Sequence, residues 1–559
     1  MQFDEDCQKK ADAAERMPSM EKTNPRRLVA NPETLHRLFI RPENEAARTA
    51  LIKYMEQILF GLHDFLQNHV GFTEEASLKA LADRFIDSRI SPEPARHLAD
   101  VINGLIEEIA PHAVNVASPY FIGHMTSAIP YFMVHLATIV AALNQNPVKL
   151  ETSKVVSIHE RQVIARLHRL IFDLRPDFYE THIQHPESTL GGVVEDGTLA
   201  NLTALWVARN RLFPPRGRFP GVERAGIAAA FSEYGIDRCV VLVSRMAHYS
   251  LEKSAGVLGL GSDQVISVDV DSAGRMRSDD LARRMTAIGR EKRTRILAVV
   301  GIAGTTETGA VDPIPEIADS CRRAGVHFHV DAAWGGPTLL SERHRHQLDG
   351  IDRADSVTID GHKQLYLPMS CGVILFRNPR AMDAVAYHAA YINRPGSVDL
   401  GIRSLSGSRP ATSLILGEAL EIMGAKGYAL LIDHGIALAR AFADKIRAHP
   451  LFELITPPQL NILTYRLLPP SFRAALESAD PAGRAALTER VNDLNVSLQR
   501  LQREAGRSFV SRTTLRRRPG EATVVLRAVL MNPMTNPDIL DEILAEQAAI
   551  YHKELSGGP

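Results

Sequence analysis

His329-Val330-Asp331-Ala332-Ala333-Trp334-Gly335-Gly336 opens, and Ser356-Val357-Thr358-Ile359-Asp360-Gly361-His362-Lys363 closes, the stretch on which the fold turns. Each half begins as a short apolar strand and ends in polar residues. In open α/β sheets, strand ends are where ligands sit. The first strand delivers a carboxylate, Asp331. The second delivers an amine, Lys363, with His362 beside it. A lysine able to form a Schiff base and an acid able to face a pyridine nitrogen are the two groups that pyridoxal 5'-phosphate requires of a protein. Taken alone, the pair fits two ordinary buried strands as well, so the rest of the chain decides.

The chain has 559 residues, which is too many for one core and implies two or three domains. Hydrophobic residues are 45% and charged residues 23%, the balance of a globular protein. Lys+Arg 64 against Asp+Glu 65 leaves a formal charge of −1, so nothing in the charge argues for nucleic acid or a membrane surface. The four cysteines, Cys7, Cys239, Cys321 and Cys371, lack C-x-x-C spacing. They suggest neither a disulfide framework nor a metal site, and the default is a reducing cytoplasm. The most apolar run, near Met133 to Leu143, is too short to span a bilayer.

Working outward, residues 1–45 read as a proline-broken arm. Ala47, Leu51, Tyr54, Met55, Ile58, Leu59 and Leu62 share one helical face, and further helices are expected over 75–87 and 92–110. From about 113, short apolar strands alternate with helices, as in a mostly parallel sheet covered on both faces. Gly191-Gly192-Val193-Val194-Glu195-Asp196-Gly197-Thr198 reads as a Gly-rich turn feeding a helix N-terminus, a natural phosphate cradle. Residues 387–410 look like a lid loop, and a long helical pattern over 411–448 leads into a small C-terminal α+β region. The expected division is 1–112, 113–412 and 413–559.

The order of these motifs resembles the PLP-dependent group II amino acid decarboxylases, which include glutamate decarboxylase, across about residues 113–545. Tyr120-Phe121-Ile122-Gly123-His124-Met125-Thr126-Ser127-Ala128 and Asn144-Gln145-Asn146-Pro147 most resemble its bacterial aspartate-decarboxylating branch. The resemblance implies the α/β fold of the fold-type I (aspartate aminotransferase-like) enzymes, with a mostly parallel central sheet. It identifies Lys363 as the Schiff-base lysine and Asp331 as the acid on the pyridine nitrogen. Ala333 packs against one ring face, and His248 stacks on the other. Thr305 and Thr306 match a Gly-Thr-Thr turn near the ring, with the contacting hydroxyl left open. Gly197 and Thr198 match the phosphate turn, with His362 a further phosphate-side candidate. Glu195-Asp196 and Asp360 depart from the family pattern, and carboxylates near a phosphate would repel it unless they point away.

Arg527 resembles the arginine that forks onto a substrate carboxylate, or else it is a strand arginine paired with a surface acid. Thr126 and His124 could complete that pocket. Tyr391 is the candidate proton donor of the lid, with Tyr387 its competitor, and Ser408 could reach the phosphate of a neighbouring subunit. The implied activity is α-decarboxylation of an acidic L-amino acid: L-aspartate to β-alanine first, L-glutamate to 4-aminobutyrate second. A homodimer sharing its active sites is expected. Two other readings remain at this level: another PLP enzyme of the same fold, such as an aminotransferase or lyase, and a non-catalytic PLP-fold protein.

Overall fold

Val240-Val241-Leu242-Val243 and Leu297-Ala298-Val299-Val300 are apolar at successive positions, so they need cover on both faces rather than one. The computed structural model supplies it. It describes residues 45–67, 70, 78–388, 397–518 and 521–556. These fall into two compact units, one within 1–67 and 74–113, the other comprising 68–73 and 114–559.

In the first unit, the helical face predicted around Leu51 belongs to helix Glu45–Gly61. The two helices expected after it are shorter than predicted: Leu78–Asp83, and Leu98–Gly104 continued by a wide turn to Ile109. Pro92 and Pro94 explain the late start of the second, since each lacks an amide donor and drives its predecessor to extended backbone.

In the second unit, seven strands form one sheet: β1 (Gly191–Val194), β2 (Arg238–Ser244), β3 (Val265–Val268), β4 (Thr294–Ile302), β5 (His327–Asp331), β6 (Ser356–Asp360) and β7 (Gly372–Phe376). Their spatial order is β1-β7-β6-β5-β4-β2-β3. The run from β3 to β6 is parallel, and β7 lies antiparallel to both of its neighbours. Asp331 is in register with Thr358, so the ends of β5 and β6 are adjacent. The Gly-rich turn is corrected in part: Gly191 and Gly192 belong to edge strand β1. A Cβ on Gly191 would stand 2.1 Å from the Ile374 carbonyl oxygen, so only glycine allows that pairing.

Helix Thr412–Ala448, broken at Gly424 (φ 61°), leads to a second, antiparallel sheet. Its strands are β8 (Phe452–Thr456), β9 (Ile462–Leu467), β10 (Ser511–Arg518) and β11 (Glu521–Val529), in the order β10-β11-β9-β8. The segment around Ile122 docks on it: Phe509 N donates to Tyr120 O (3.0 Å) and Val529 N to Ile122 O (2.7 Å). That docking carries His124 to the flank of β11, where Arg527 sits. Among the described residues, no helix is long and apolar enough to cross a membrane.

Candidate active site

The carboxyl ends of β1, β2, β4, β5 and β6 deliver Gly197, His248, Thr305, Asp331 and Lys363 to one edge of the sheet. Their mutual influence is visible in His248. Burial pushes its imidazole down from the usual range, against the pull of Asp331, while Lys363 adds to the fall and Asp360 and Asp196 oppose it. His248 therefore stands within electrostatic reach of every charge in the cluster, as a largely neutral ring.

Asp331 is buried. Its Oδ2 accepts from Asn201 Nδ2 (2.9 Å) and its Oδ1 from the Ala333 amide (3.1 Å). Lys363 Nζ lies 2.8 Å from Asp360 Oδ2, and burial raises the Asp360 carboxyl against the pull of Lys363 and His362. A Cβ on Gly197 would stand 2.9 Å from Asp360 Oδ2 and 3.3 Å from the Ala333 Cβ. The missing side chain thus keeps a cradle open between a helix N-terminus and the strand ends carrying Asp331 and Lys363.

The acidic departures in the phosphate turn are committed elsewhere. Asp196 Oδ1 caps helix Gly197–Leu212 through the Leu199 amide (2.9 Å). Glu195 Oε1 accepts from Ser406 Oγ (2.9 Å). An acid, an amine and a helix N-terminus whose neighbouring carboxylates are already engaged, Asp196 on the Leu199 amide and Asp360 on Lys363, fit pyridoxal phosphate.

Arg527 is buried, not a surface strand arginine. Its Nη1 donates to Thr306 O (3.0 Å) and its Nη2 to Gly123 O (3.1 Å), while its buried Nε has no partner among the described residues. His124 Nδ1 lies 3.3 Å from Thr126 Oγ1. Burial lowers the His124 imidazole, and the charges of Arg527 and Lys363 lower it further, so the three pocket residues and Lys363 share one neighbourhood.

Other predicted residues are placed differently. The Thr305 hydroxyl is spent within its own turn, on Thr308 Oγ1 (2.7 Å) and the Ala310 amide (3.1 Å). His362 Nδ1 faces Cys371 O (2.9 Å), and its Nε2 lies 3.8 Å from Asp360. Ser408 is exposed, 3.5 Å from Asn146 Nδ2. Tyr391 lies outside the described residues, and Tyr387 is exposed.

Two groups escaped the sequence reading. Asn201 joins Asp331 to a buried network through Ser250 Oγ (3.1 Å), His329 Nε2 (3.0 Å) and Thr358 Oγ1 (2.8 Å). Asn201 follows Gly197 by one helical turn, and His329 precedes Asp331 by two residues on the same strand face, but neither spacing shows that the two meet across 128 positions. Glu307, beside Arg527, has its carboxyl raised by burial, and its buried Oε2 lacks a partner among the described residues.

The sequence profile of the pyridoxal-dependent decarboxylase conserved domain matches residues 83–468. The chain is 44% identical over 520 residues to an aspartate 1-decarboxylase of Aliivibrio fischeri, covering 93% of this chain and 94% of that one. It is 30% identical over 458 residues to an L-2,4-diaminobutyrate decarboxylase of Rhizobium meliloti, covering 81% and 82%. Its structure resembles the crystal structure of mouse CSAD in apo form, with a TM-score of 0.77 at 25% identity over 90% of this chain and 99% of that chain.

Proposed function

The chain belongs to the pyridoxal-dependent decarboxylase family and is thus a fold-type I carboxy-lyase working with pyridoxal 5'-phosphate; from that premise we propose that it converts L-aspartate to β-alanine and carbon dioxide. The observation that carries the substrate choice is Arg527, a buried guanidinium with an unspent Nε, beside His124 and within electrostatic reach of the pocket around Lys363. Such a group calls for an anion, because a buried N–H left unpaired is costly. Similarity to a relative named aspartate 1-decarboxylase points the same way.

The bound cofactor supplies an electron sink for the pair released when the Cα–carboxylate bond breaks. Lys363 would hold the cofactor through its Nζ. Asp331 would hold a proton at the pyridine nitrogen, with its own lone pairs fixed by Asn201 and the Ala333 amide. His248 and Ala333 would lie against the cofactor ring, and Gly197 and Thr198, with His362, would hold its phosphate. Arg527, Thr126 and His124 hold the substrate's side-chain carboxylate, which leaves the α-carboxylate as the group to be lost. Tyr391 returns a proton to Cα after carbon dioxide departs.

The active form is a homodimer, in which the exposed Ser408 reaches the neighbouring site. Free, buried Cys239, Cys321 and Cys371 support a reducing cytoplasm. In the proposed division, 113–412 would hold the cofactor and 413–559, which carries Arg527, would form the small domain.

The test is carbon dioxide release by purified holoenzyme from aspartate, glutamate, cysteine sulfinate and 2,4-diaminobutyrate in separate reactions. Aspartate should give the highest kcat/KM, with β-alanine formed in equal amount. Preference for the diamino acid would overturn the reading of Arg527.

A further inference from the structure

At the amino end of β5, on the edge of the sheet opposite Lys363, lies a cavity of about 500 Å³. Arg211, Arg322, Arg353 and Arg377 line it, against the carboxylate of Asp355 and the imidazole of His327. Asp319 braces two of the guanidiniums, Arg322 (2.7 Å) and Arg353 (2.5 Å), from outside the lining. Arg211 and Arg377 make no side-chain hydrogen bond or ion pair among the described residues. Asp355 is itself occupied, accepting from the Phe328 amide (2.8 Å). Four cations outweigh two acids, Asp355 and Asp319, and face the carbonyl ends of helices Gly197–Leu212 and Ile314–Ala324, which border the cavity. Planar guanidiniums converging on a space of this size suit a phosphate-bearing small molecule.

A string of buried side chains runs from this cavity to Asp331. His327 Nε2 is 2.9 Å from Ser356 Oγ, and Ser356 Oγ is 2.9 Å from His329 Nδ1. His329 Nε2 is 3.0 Å from Asn201 Oδ1, and Asn201 Nδ2 donates to Asp331 Oδ2 (2.9 Å). The Asp331 carboxylate can only accept, so the amide orientation of Asn201 is fixed. Its Oδ1 then requires hydrogen on His329 Nε2, leaving Nδ1 to accept from the Ser356 hydroxyl, which in turn accepts from His327 Nε2. Every bond in the string donates toward Asp331, and His327 Nδ1 is left to face the charges around the cavity.

We propose that the arginine-lined cavity is a regulatory site for a phosphate-bearing small molecule, coupled through His327, Ser356, His329 and Asn201 to the carboxylate that holds the cofactor's ring nitrogen. The groups facing His327 are Ser356, His329, Arg211 and Asp355, whose Oδ2 is 3.9 Å from Nδ1. Burial holds the His327 imidazole down at about 4, with Asp355 opposing the fall and Arg211 adding to it, so the ring is neutral before an anion binds. A phosphate beside Arg211 cancels that cation and adds negative charge, which raises His327 toward the imidazolium. Protonated, it donates more strongly to Ser356, and each following bond strengthens in turn. Asp331 is then better satisfied by Asn201 and grips the ring proton less. The bound ligand is an inhibitor that lowers kcat, by roughly two- to threefold given the modest strengthening passed along each bond. The coupling rests on the reading of Asp331 as the ring-nitrogen acid, whereas the binding does not.

Inorganic pyrophosphate titrated into holoenzyme by calorimetry is the probe. One site per chain is expected, weakened at least tenfold in Arg211→Ala/Arg377→Ala and kept in Ser356→Ala. The absorbance of the bound cofactor should shift on saturation in the parent protein and stay unmoved in Ser356→Ala. Ser356→Cys serves as a second cut where the alanine variant folds poorly. No heat in the parent protein, or equal binding in the arginine variant, overturns the site. A shift that survives the cut at Ser356, or no shift in the parent protein, overturns the coupling. Failure of the aspartate reading would show instead as missing carbon dioxide, with pyrophosphate binding intact.

Discussion

Arg527 and Glu307 set up a contest for one charge. Burial raises the Glu307 carboxyl while Arg527 pulls it down, so an acid with an elevated pKa sits beside the guanidinium proposed to hold substrate. While Glu307 is protonated, Arg527 is free to hold a carboxylate. As pH rises through the elevated value, Glu307 ionises and competes for Arg527. KM for aspartate should therefore climb as pH rises through that elevated value, and Glu307→Gln should flatten the climb in steady-state kinetics across pH. Arg527→Lys keeps the charge but loses the fork. A charge-assisted hydrogen bond of about 1.5–3 kcal/mol then predicts a loss in kcat/KM of roughly 10- to 100-fold. The strand-end placement of Lys363 and Asp331 and the strand placement of Arg527 were legible because short strand-like runs lead into each. Glu307, Asn201 and His329 were not, because their importance lies in what a distant segment places beside them: Arg527 is 220 positions from Glu307, and Asn201 is 130 from Asp331 (527 − 307; 331 − 201).

Elements were readable where both faces are buried and obscure at edges. β2 and β4 hold continuous apolar runs inside the large sheet, while β5 and β6 alternate apolar with polar residues, and both patterns mark strands. β8 and β10 escaped because they are the two edges of the small sheet, and Ser511-Arg512-Thr513-Thr514-Leu515-Arg516-Arg517-Arg518 carries the charges that edges use to avoid pairing with other chains. A second kind of joint is chemical. Asp280, in the first turn of helix Ser278–Arg290, accepts from the Asp269 amide (2.8 Å) just beyond β3, and from Arg284 (2.8 Å) and Arg283. Burial pushes its carboxyl up, but those hydrogen bonds prevail and hold it down at about 2. A folded value below the unfolded one stabilises above the unfolded pKa, and that stability is lost as pH falls from about 4 toward 2. Exposure of Arg283 screens part of it, leaving about 1–2 kcal/mol. Asp280→Asn should thus unfold at lower urea concentration at pH 7, with the gap to the parent protein closing as titrations move to pH 3.

At the scale of the molecule, the cofactor site is only part of what one chain presents. Helix Phe132–Leu143 turns Val134, Ile139 and Leu143 outward, flanked by Tyr131 at 81% exposure and Val155 at 70%. We infer that these exposed apolar side chains pack against a second copy of the chain. Asn146, three residues past that helix, touches Gly407 and Ser408, so the exposed Ser408 belongs to the same face. A two-fold pairing through this face would bury the helix against its copy and carry each Ser408 toward the partner's phosphate turn. Ile139→Asp places a charge at the centre of the patch without touching Lys363 or Arg527. Sedimentation velocity should show the parent protein as a dimer and the variant shifted to monomer at the same concentration. If Ser408 completes the neighbouring site, the variant should also lose its bound-cofactor absorbance on dilution faster than the parent protein. A parent protein that sediments as a monomer with full cofactor occupancy would mean that one chain closes its own phosphate site, and that Ser408 has no part in it.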